Sequence, residues 1–186
     1  MSEDGINRLA LVSGANRGIG LAIFKALYHS NYIVIGTYRS ESGGKTLNNI
    51  ITDKSKGAAM RMDVTSKDDI TDVFQAIRDR YGPVSVLINN AGVTQDNLFM
   101  RMKDEEWNEV IDTNLNSIFR VTKESIKDMI KSKYGRIINI GSVVGLSGNP
   151  GQVNYASSKS ALQGFSKSLA SCLLYTSPSP RDIMRS

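Results

Sequence analysis

The chain reads Ser13-Gly-Ala-Asn-Arg-Gly-Ile-Gly20 where a short apolar run, Leu9–Ser13, ends and an amphipathic stretch begins at Ile19. Glycine lets the backbone turn tightly and come close to a phosphate group. The N-terminus of a helix adds free N–H groups and positive potential. A glycine-rich turn between a strand and a helix therefore predicts that a dinucleotide binds at this first connection.

The rest of the sequence alternates short β-rich apolar runs with longer amphipathic stretches, a pattern typical of a parallel sheet covered by helices. Strands are predicted at Leu9–Ser13, Ile33–Tyr38, Ala58–Met62, Val84–Asn89 and Arg136–Ile140. Helices are predicted at Ile19–Ser30, Lys45–Thr52, Ser66–Tyr81, Asp104–Lys133 and from Asn154 onward. With no internal repeat and no interdomain linker, the pattern predicts one doubly wound α/β domain.

Composition excludes several classes of protein. The chain has 186 residues, of which 40% are hydrophobic, and it lacks an uninterrupted apolar run of the roughly 20 residues that a membrane helix needs. Its N-terminus is acidic, and its single cysteine, Cys172, rules out an intrachain disulfide framework, so we expect a cytoplasmic protein. The sole histidine, His29, has no companions for a metal site. The net charge of +5 is scattered, which favours an anionic cofactor or acidic partner, or simply a solvated surface, over nucleic acid.

Tyr155 and Lys159 are four residues apart, and Ser142 precedes them at the end of a predicted strand. On a helix, side chains with this spacing share a face. A cation beside a phenol favours the phenolate, and such a phenol can exchange a proton with a bound carbonyl or alcohol oxygen. Ser142 is placed to donate a hydrogen bond to the same oxygen.

The end of the second predicted strand indicates which cofactor is preferred. It reads Thr37-Tyr38-Arg39-Ser40, without the carboxylate that commonly accepts from the ribose 2′-OH of NAD. Arg39, together with Arg17, can instead bind a 2′-phosphate, which predicts NADPH. Glu41 follows closely enough to leave NADH open.

Two further strand ends carry polar or small residues. Asp63-Val64 follows the third predicted strand and is expected to contact the adenine. Asn89-Asn90-Ala91-Gly92 ends the fourth, where small residues allow a cofactor to approach the backbone. Open α/β sheets bind ligands at these carboxyl ends.

Taken together, these motifs resemble the short-chain dehydrogenase/reductase family over roughly residues 8–170, which implies a Rossmann-like sheet. The resemblance implies a catalytic set of Asn114, Ser142, Tyr155 and Lys159, in which Asn114 anchors a water linking Lys159 to solvent. Tyr155 and Lys159 are also expected to touch the cofactor. The other implied cofactor contacts are Ser13, Gly14, Asn16, Arg17, Gly18, Ile19, Gly20, Thr37, Arg39, Asp63, Val64, Asn90, Ala91 and Gly92.

Within the family, three segments resemble the bacterial branch that uses NADPH to reduce 3-oxoacyl chains carried on acyl carrier protein: Thr94–Trp107, Gly141–Gly145 and Gly151–Ala156. The implied partner is therefore an acyl-carrier-protein-bound substrate in fatty-acid biosynthesis, and Arg101, Lys131 and Lys133 are candidate docking residues. Two other functions stay open: reduction of another ketone or sugar, and nucleotide binding without catalysis.

The last sixteen residues depart from the pattern. Cys172–Asp182 resembles the translation of a transposase adapter used in sequencing, so we expect residues 1–170 to form the cofactor-binding catalytic domain and residues 171–186 to be non-native. Family members continue further, with two more strands and a substrate-covering loop. We therefore expect a sheet lacking its last two strands, turnover only from a chain of family length, and a homotetramer for the full-length protein.

Overall fold

The computed structural model of the chain describes residues 8–30 and 32–176. The acidic N-terminus and most of the adapter-like segment, from residue 177 on, lie outside the described residues. Five parallel strands form one sheet in the order β3-β2-β1-β4-β5. They are β1 Arg8–Val12, β2 Tyr32–Tyr38, β3 Gly57–Arg61, β4 Val86–Asn89 and β5 Arg136–Asn139. The predicted α/β class and parallel sheet are confirmed.

The position of β1 explains where a ligand can bind. The chain moves outward from β1 to β2 and β3, then returns to the other side of β1 for β4 and β5. This reversal opens a crevice beyond the carboxyl ends of β1 and β4, the usual ligand site of such sheets. β1 is nearly all buried, as expected of a central parallel strand with helices on both faces.

The helices that cover the sheet are α1 Gly18–Tyr28, α2 Glu41–Asn48, α3 Lys67–Tyr81, α4 Asp104–Ile111, α5 Ser117–Ser132, α6 Val144–Ser147 and α7 Val153–Thr176. No helix among the described residues is long and apolar enough to cross a membrane. The sequence did not predict α6 or the short 3₁₀ turn Phe99–Arg101. α7 also continues to Thr176, beyond the point near Ala170 where the helical pattern was expected to stop.

Two predicted helices differ from the structure for local reasons. α2 begins before the predicted Lys45 because Ser40 caps it, with its Oγ accepting from the Gly43 N–H at 3.4 Å. The predicted single helix 104–133 is divided into α4 and α5 by a π-helical turn, Asp112–Asn116. Such turns inside helices are frequent at functional sites, and this one contains Asn114.

Each face of the sheet has its own hydrophobic core. One core joins the sheet to α3 and α5 and includes Phe74 and Leu87; the other joins it to α1 and α2 and includes Phe24 and Leu47. These two layers hold the carboxyl ends of the strands, and therefore the candidate site, in a fixed frame.

Candidate active site

The glycine-rich turn adopts backbone conformations that favour glycine. Gly14 and Gly18 have φ values of +61° and +52°. A methyl group added at Gly14 would lie 2.9 Å from the Cα atom of Ala91, and one at Gly20 would collide with the side chain of Asn90. The turn after β1 therefore packs directly on the segment after β4.

Ser13 and Asn90 tie these two segments together. The Ser13 Oγ accepts hydrogen bonds from the N–H groups of Asn90 and Ala91, at 3.0 and 3.1 Å. The Asn90 Nδ2 donates to the carbonyl oxygens of Ser13 and Gly14, each at 3.0 Å. Ser13 is only 2% exposed, so it shapes the turn from behind rather than facing a ligand.

A cleft of about 490 Å³ opens along the carboxyl ends of β1 to β4. Its lining includes eleven of the predicted cofactor-binding residues, namely Gly14, Asn16, Arg17, Gly18, Ile19, Arg39, Asp63, Val64, Asn90, Ala91 and Gly92. It also includes five residues that sequence reasoning missed, namely Tyr38, Ser40, Met62, Val93 and Thr113. All of these except Thr113 lie at or near the end of a predicted strand, and that position was the feature of the sequence from which they could have been predicted.

The chemistry of the cleft suits a dinucleotide. Arg17, the residue before α1, makes no side-chain capping hydrogen bond, and the first turn of α1 contains no acidic residue. The N–H groups at the start of α1 are therefore left for a phosphate group. Ile19 is 63% exposed at the same turn, which places an apolar side chain on the cleft wall.

Three predicted cofactor contacts lie behind the wall of the cleft: Ser13, Gly20 and Thr37. Thr37 is 1% exposed, and its carbonyl oxygen accepts from the Ala15 N–H at 2.8 Å. Its Oγ1 has no hydrogen-bond partner within the described residues. These three residues therefore help to position the backbone around the cleft and do not form its lining.

Asp63 lines the cleft through a turn that its own carboxylate organises. The Asp63 Oδ1 accepts from the N–H and hydroxyl of Thr65, at 2.9 and 2.7 Å. The Asp69 Oδ2 accepts from the Asp63 N–H at 3.0 Å. This backbone bond, with a second bond from Ser66, lowers the pKa of Asp69, so the start of α3 holds the turn in place.

Asn114 lies behind the cleft wall, next to Thr113 and bonded to Val93, both of which line the cleft. It is fully buried, and its carboxamide pairs with the backbone of Val93: Oδ1 accepts from the N–H at 2.8 Å and Nδ2 donates to the carbonyl at 2.9 Å. Nδ2 also donates to the Ser158 Oγ at 3.3 Å. The π-helical turn thereby joins the segment after β4 to α7.

Lys159 and Tyr155, the two remaining predicted cofactor contacts, lie on α7 and are not part of the cleft lining. The Lys159 Nζ donates to the carbonyl oxygen of Ile140 at 2.8 Å and lies 5.8 Å from the centre of the Tyr155 ring. A methyl group added at Gly92 would lie 3.1 Å from the Asn114 Oδ1 and 3.8 Å from the Lys159 Nζ. Lys159 is only 7% exposed, and burial lowers its pKa.

Ser142 follows β5 in a half-buried position before α6. Its Oγ accepts from the Val144 N–H at 3.2 Å, so the side chain is oriented by its own loop. The Tyr155 hydroxyl is half-buried and makes no hydrogen bond to the described residues. The structure therefore brings Lys159 close to the Tyr155 ring and, beside Gly92, to the Asn114 carboxamide.

Known proteins match this chain over most of its described length. The model of the short chain dehydrogenase family matches residues 8–177. The 3-oxoacyl-[acyl-carrier-protein] reductase of Escherichia coli is 51% identical over 163 residues, and that of Haemophilus influenzae is 48% identical over 163 residues. Each alignment covers 88% of this chain and 66% of the relative, so the chain spans slightly less than two thirds of their length. The chain belongs to the short chain dehydrogenase family.

Proposed function

We propose that this chain carries the cofactor site and catalytic residues of an NADPH-dependent 3-oxoacyl-[acyl-carrier-protein] reductase, which forms 3-hydroxyacyl-[acyl-carrier-protein]. The observation that carries the proposal is the meeting of Lys159 and Asn114 beside Gly92, which lines a cleft that the glycine-rich turn also lines. The matched relatives are named for this reaction. NADPH supplies a hydride for the carbon at position 3 of the acyl chain.

The protein residues supply a proton and hold the reacting oxygen. The Tyr155 hydroxyl, which has no protein partner in the described part of the chain, donates its proton to the oxygen that becomes the alcohol. Ser142 steadies that oxygen with a hydrogen bond. Lys159 places a cation beside the phenol, and the Asn114–Val93 pair keeps the wall next to Lys159 in position.

NADPH is proposed over NADH because of the charges that line the adenosine end. Arg17 and Arg39 both line the cleft, whereas Glu41, the nearest carboxylate after β2, does not. Among the described residues, Asp63 is the one carboxylate that lines the cleft, and it accepts hydrogen bonds from Thr65. Two guanidinium groups without a competing acid favour a 2′-phosphate.

Acyl carrier protein, which is acidic, is the proposed carrier of the substrate. Arg101, Lys131 and Lys133 are exposed, as a docking role requires. Charge reversal at these positions should slow association with the carrier and weaken the dependence of the rate on salt. The same substitutions should leave the rate with a free acetoacetyl thioester unchanged.

The proposed reaction is tested by following NADPH oxidation in the presence of an acetoacetyl thioester. The chain is assayed alone and as a chimera in which residues 1–170 continue into the unmatched C-terminal part of the Escherichia coli reductase. We expect turnover in the chimera, and a loss of about 100-fold or more in its Tyr155→Phe variant with NADPH still bound. NADPH binding without turnover in either protein would favour a nucleotide-binding protein without catalysis.

A further inference from the structure

We propose that Asn154 is a positioning residue that determines how far Tyr155 reaches into the candidate site; this rests on the proposed function. Asn154 is fully buried, next to Tyr155 in the sequence, and its carboxamide makes three hydrogen bonds. A buried carboxamide is costly unless its donors and acceptor are satisfied. Those of Asn154 are satisfied by three separate parts of the fold.

The first bond completes the start of α7. The first N–H groups of a helix have no partner within the helix. In α7 the Ala156 N–H donates to the Gln152 carbonyl at 2.8 Å, but the Gly151 carbonyl already accepts from the Asn97 N–H. The Tyr155 N–H instead donates to the Asn154 Oδ1 at 2.8 Å.

The other two bonds attach this helix start to the β4 side of the site. The Asn154 Nδ2 donates to the Gln95 carbonyl at 2.9 Å and to the Glu106 carbonyl of α4 at 3.3 Å. Gln95 follows Val93, the residue whose backbone holds the Asn114 carboxamide. Asn154 therefore connects the backbone of Tyr155 to the segment that positions Asn114.

A neighbouring bond provides a natural comparison. The Gln152 Nε2 donates to the Asp96 Oδ2 at 2.8 Å, so it joins the same two segments, but this bond lies at the exposed surface. Water can replace an exposed hydrogen bond, whereas the groups around Asn154 have no such replacement. Gln152 also accepts from the Asn149 side chain, but it makes no side-chain bond to Tyr155. Gln152 is therefore a control that joins the same two segments at the surface without holding the Tyr155 N–H.

Loss of Asn154 should affect catalysis and not cofactor binding. The Tyr155 hydroxyl has no protein hydrogen bond of its own in the described region, so the position of its helix determines where it lies. None of the residues that line the cofactor cleft is hydrogen-bonded to Asn154. No residue of α7 that the structure describes lines the cleft, and Lys159, one turn further along the helix, keeps its own bond to the Ile140 carbonyl. A shift at the start of α7 therefore displaces the Tyr155 hydroxyl and leaves the glycine-rich turn and the strand ends in place.

The test compares Asn154→Ala, Asn154→Asp and Gln152→Ala in whichever of the two proteins turns over in the assay above. We expect Asn154→Ala to lower kcat by about 10- to 100-fold, with the Kd for NADPH unchanged. Asn154→Asp keeps the acceptor for the Tyr155 N–H but turns an oxygen toward two carbonyls. Its kcat should be lower still at neutral pH and should recover as the pH falls, because a protonated carboxyl can donate. Gln152→Ala should retain the wild-type kcat.

A second measurement decides the matter even without turnover. We expect amide hydrogen exchange at Tyr155 to accelerate in Asn154→Ala and to stay slow in Gln152→Ala, measured on the chain itself. A wild-type kcat in Asn154→Ala, or a parallel loss of NADPH binding, would overturn the positioning role. If the wild-type protein does not turn over, the proposed function fails, and unchanged exchange at Tyr155 would separately overturn the inference. If Asn154→Ala does not fold, the inference would be overturned by an Asn154→Asp variant whose kcat does not recover as the pH falls.

Discussion

The Lys159 ammonium donates to the carbonyl oxygen of Ile140 at 2.8 Å, across the carboxyl end of β5. The Ile140 N–H donates in turn to the Asn89 carbonyl at 2.9 Å, at the end of β4. The cation of the candidate site is therefore tied to the edge of the sheet as well as to α7.

Replacement of Lys159 by Met should change how stability depends on pH. Burial lowers the pKa of Lys159, so between its folded-state pKa and the ordinary lysine value the unfolded chain binds a proton that the folded chain does not. The free energy of unfolding must then rise with pH between these two pKa values. Below the folded-state pKa, Lys159 is charged in the folded chain, and the full cost of burying that charge lowers the stability. Urea unfolding from neutral to alkaline pH should show this rise in the wild type and its loss in Lys159→Met. The same slope in both proteins would contradict it.

The ion pairs between α3 and α5 should stabilise the core on that side of the sheet. Arg78 donates from Nε to the Asp128 Oδ2 at 2.8 Å and from Nη2 to the Glu124 Oε1 at 2.9 Å. These side chains are 18–24% exposed. We expect Arg78→Met to lower the free energy of unfolding by about 2 kcal/mol at neutral pH. Thermal or urea unfolding measures the loss, with Arg80→Met, on the exposed side of α3, as the control.

This stabilisation should fade in acid. Burial raises the pKa of Glu124, but the hydrogen bond from Arg78 and the nearby positive charges together lower it by more. The pKa of Glu124 therefore lies below its ordinary value. The contribution of Glu124 is then complete above the ordinary glutamate pKa and is lost as the pH falls through the folded-state pKa. The difference between wild type and Arg78→Met should shrink as the pH falls below the ordinary glutamate pKa of about 4.3. A constant difference would show that packing, not charge, is responsible.

Alanine at Gly14 should be more damaging than alanine at Gly18. Both positions have positive φ, which costs a residue with a side chain about 1–2 kcal/mol. At Gly14 the added methyl group also meets the Cα of Ala91 at 2.9 Å, whereas at Gly18 nothing lies within 4 Å. Unfolding of the two variants without ligand should show the larger loss for Gly14→Ala. Equal losses would mean that the contact with Ala91 relaxes easily.

Arg39 should determine the preference for NADPH. If Arg39 binds the 2′-phosphate, Arg39→Ala should weaken NADPH binding by about 10- to 100-fold and leave NADH binding nearly unchanged. Fluorescence titration of the reduced cofactors measures both constants. Lys45→Ala removes the same charge from an exposed position of α2 that does not line the cleft, and it should affect neither. An equal loss for both cofactors in Arg39→Ala would reject the 2′-phosphate contact.

Local patterns were sufficient for most of the fold. Every predicted strand is present with its ends within about two residues, because each strand reads as a short β-rich apolar run, even β3 and β5, which are only partly buried. The start of α2 was misplaced because Ser40 caps the helix and Gly43 and Gly44 pack closely on Asn16 and Tyr38. A glycine pair reads as a break in the sequence, and only its neighbours show why the helix tolerates it.

The sequence alone determined the α/β class and the glycine-rich turn, and it indicated Tyr155, Lys159 and Asn114 as a candidate set, because each of these depends on spacing within one element or on a motif. Only the tertiary structure decided which of them meet. The Asn114–Val93 pair, the Lys159–Ile140 bond and the bonds of Asn154 to Gln95 and Glu106 all join residues from different elements. Such partners are selected by packing between elements, and no periodicity along the chain records that packing.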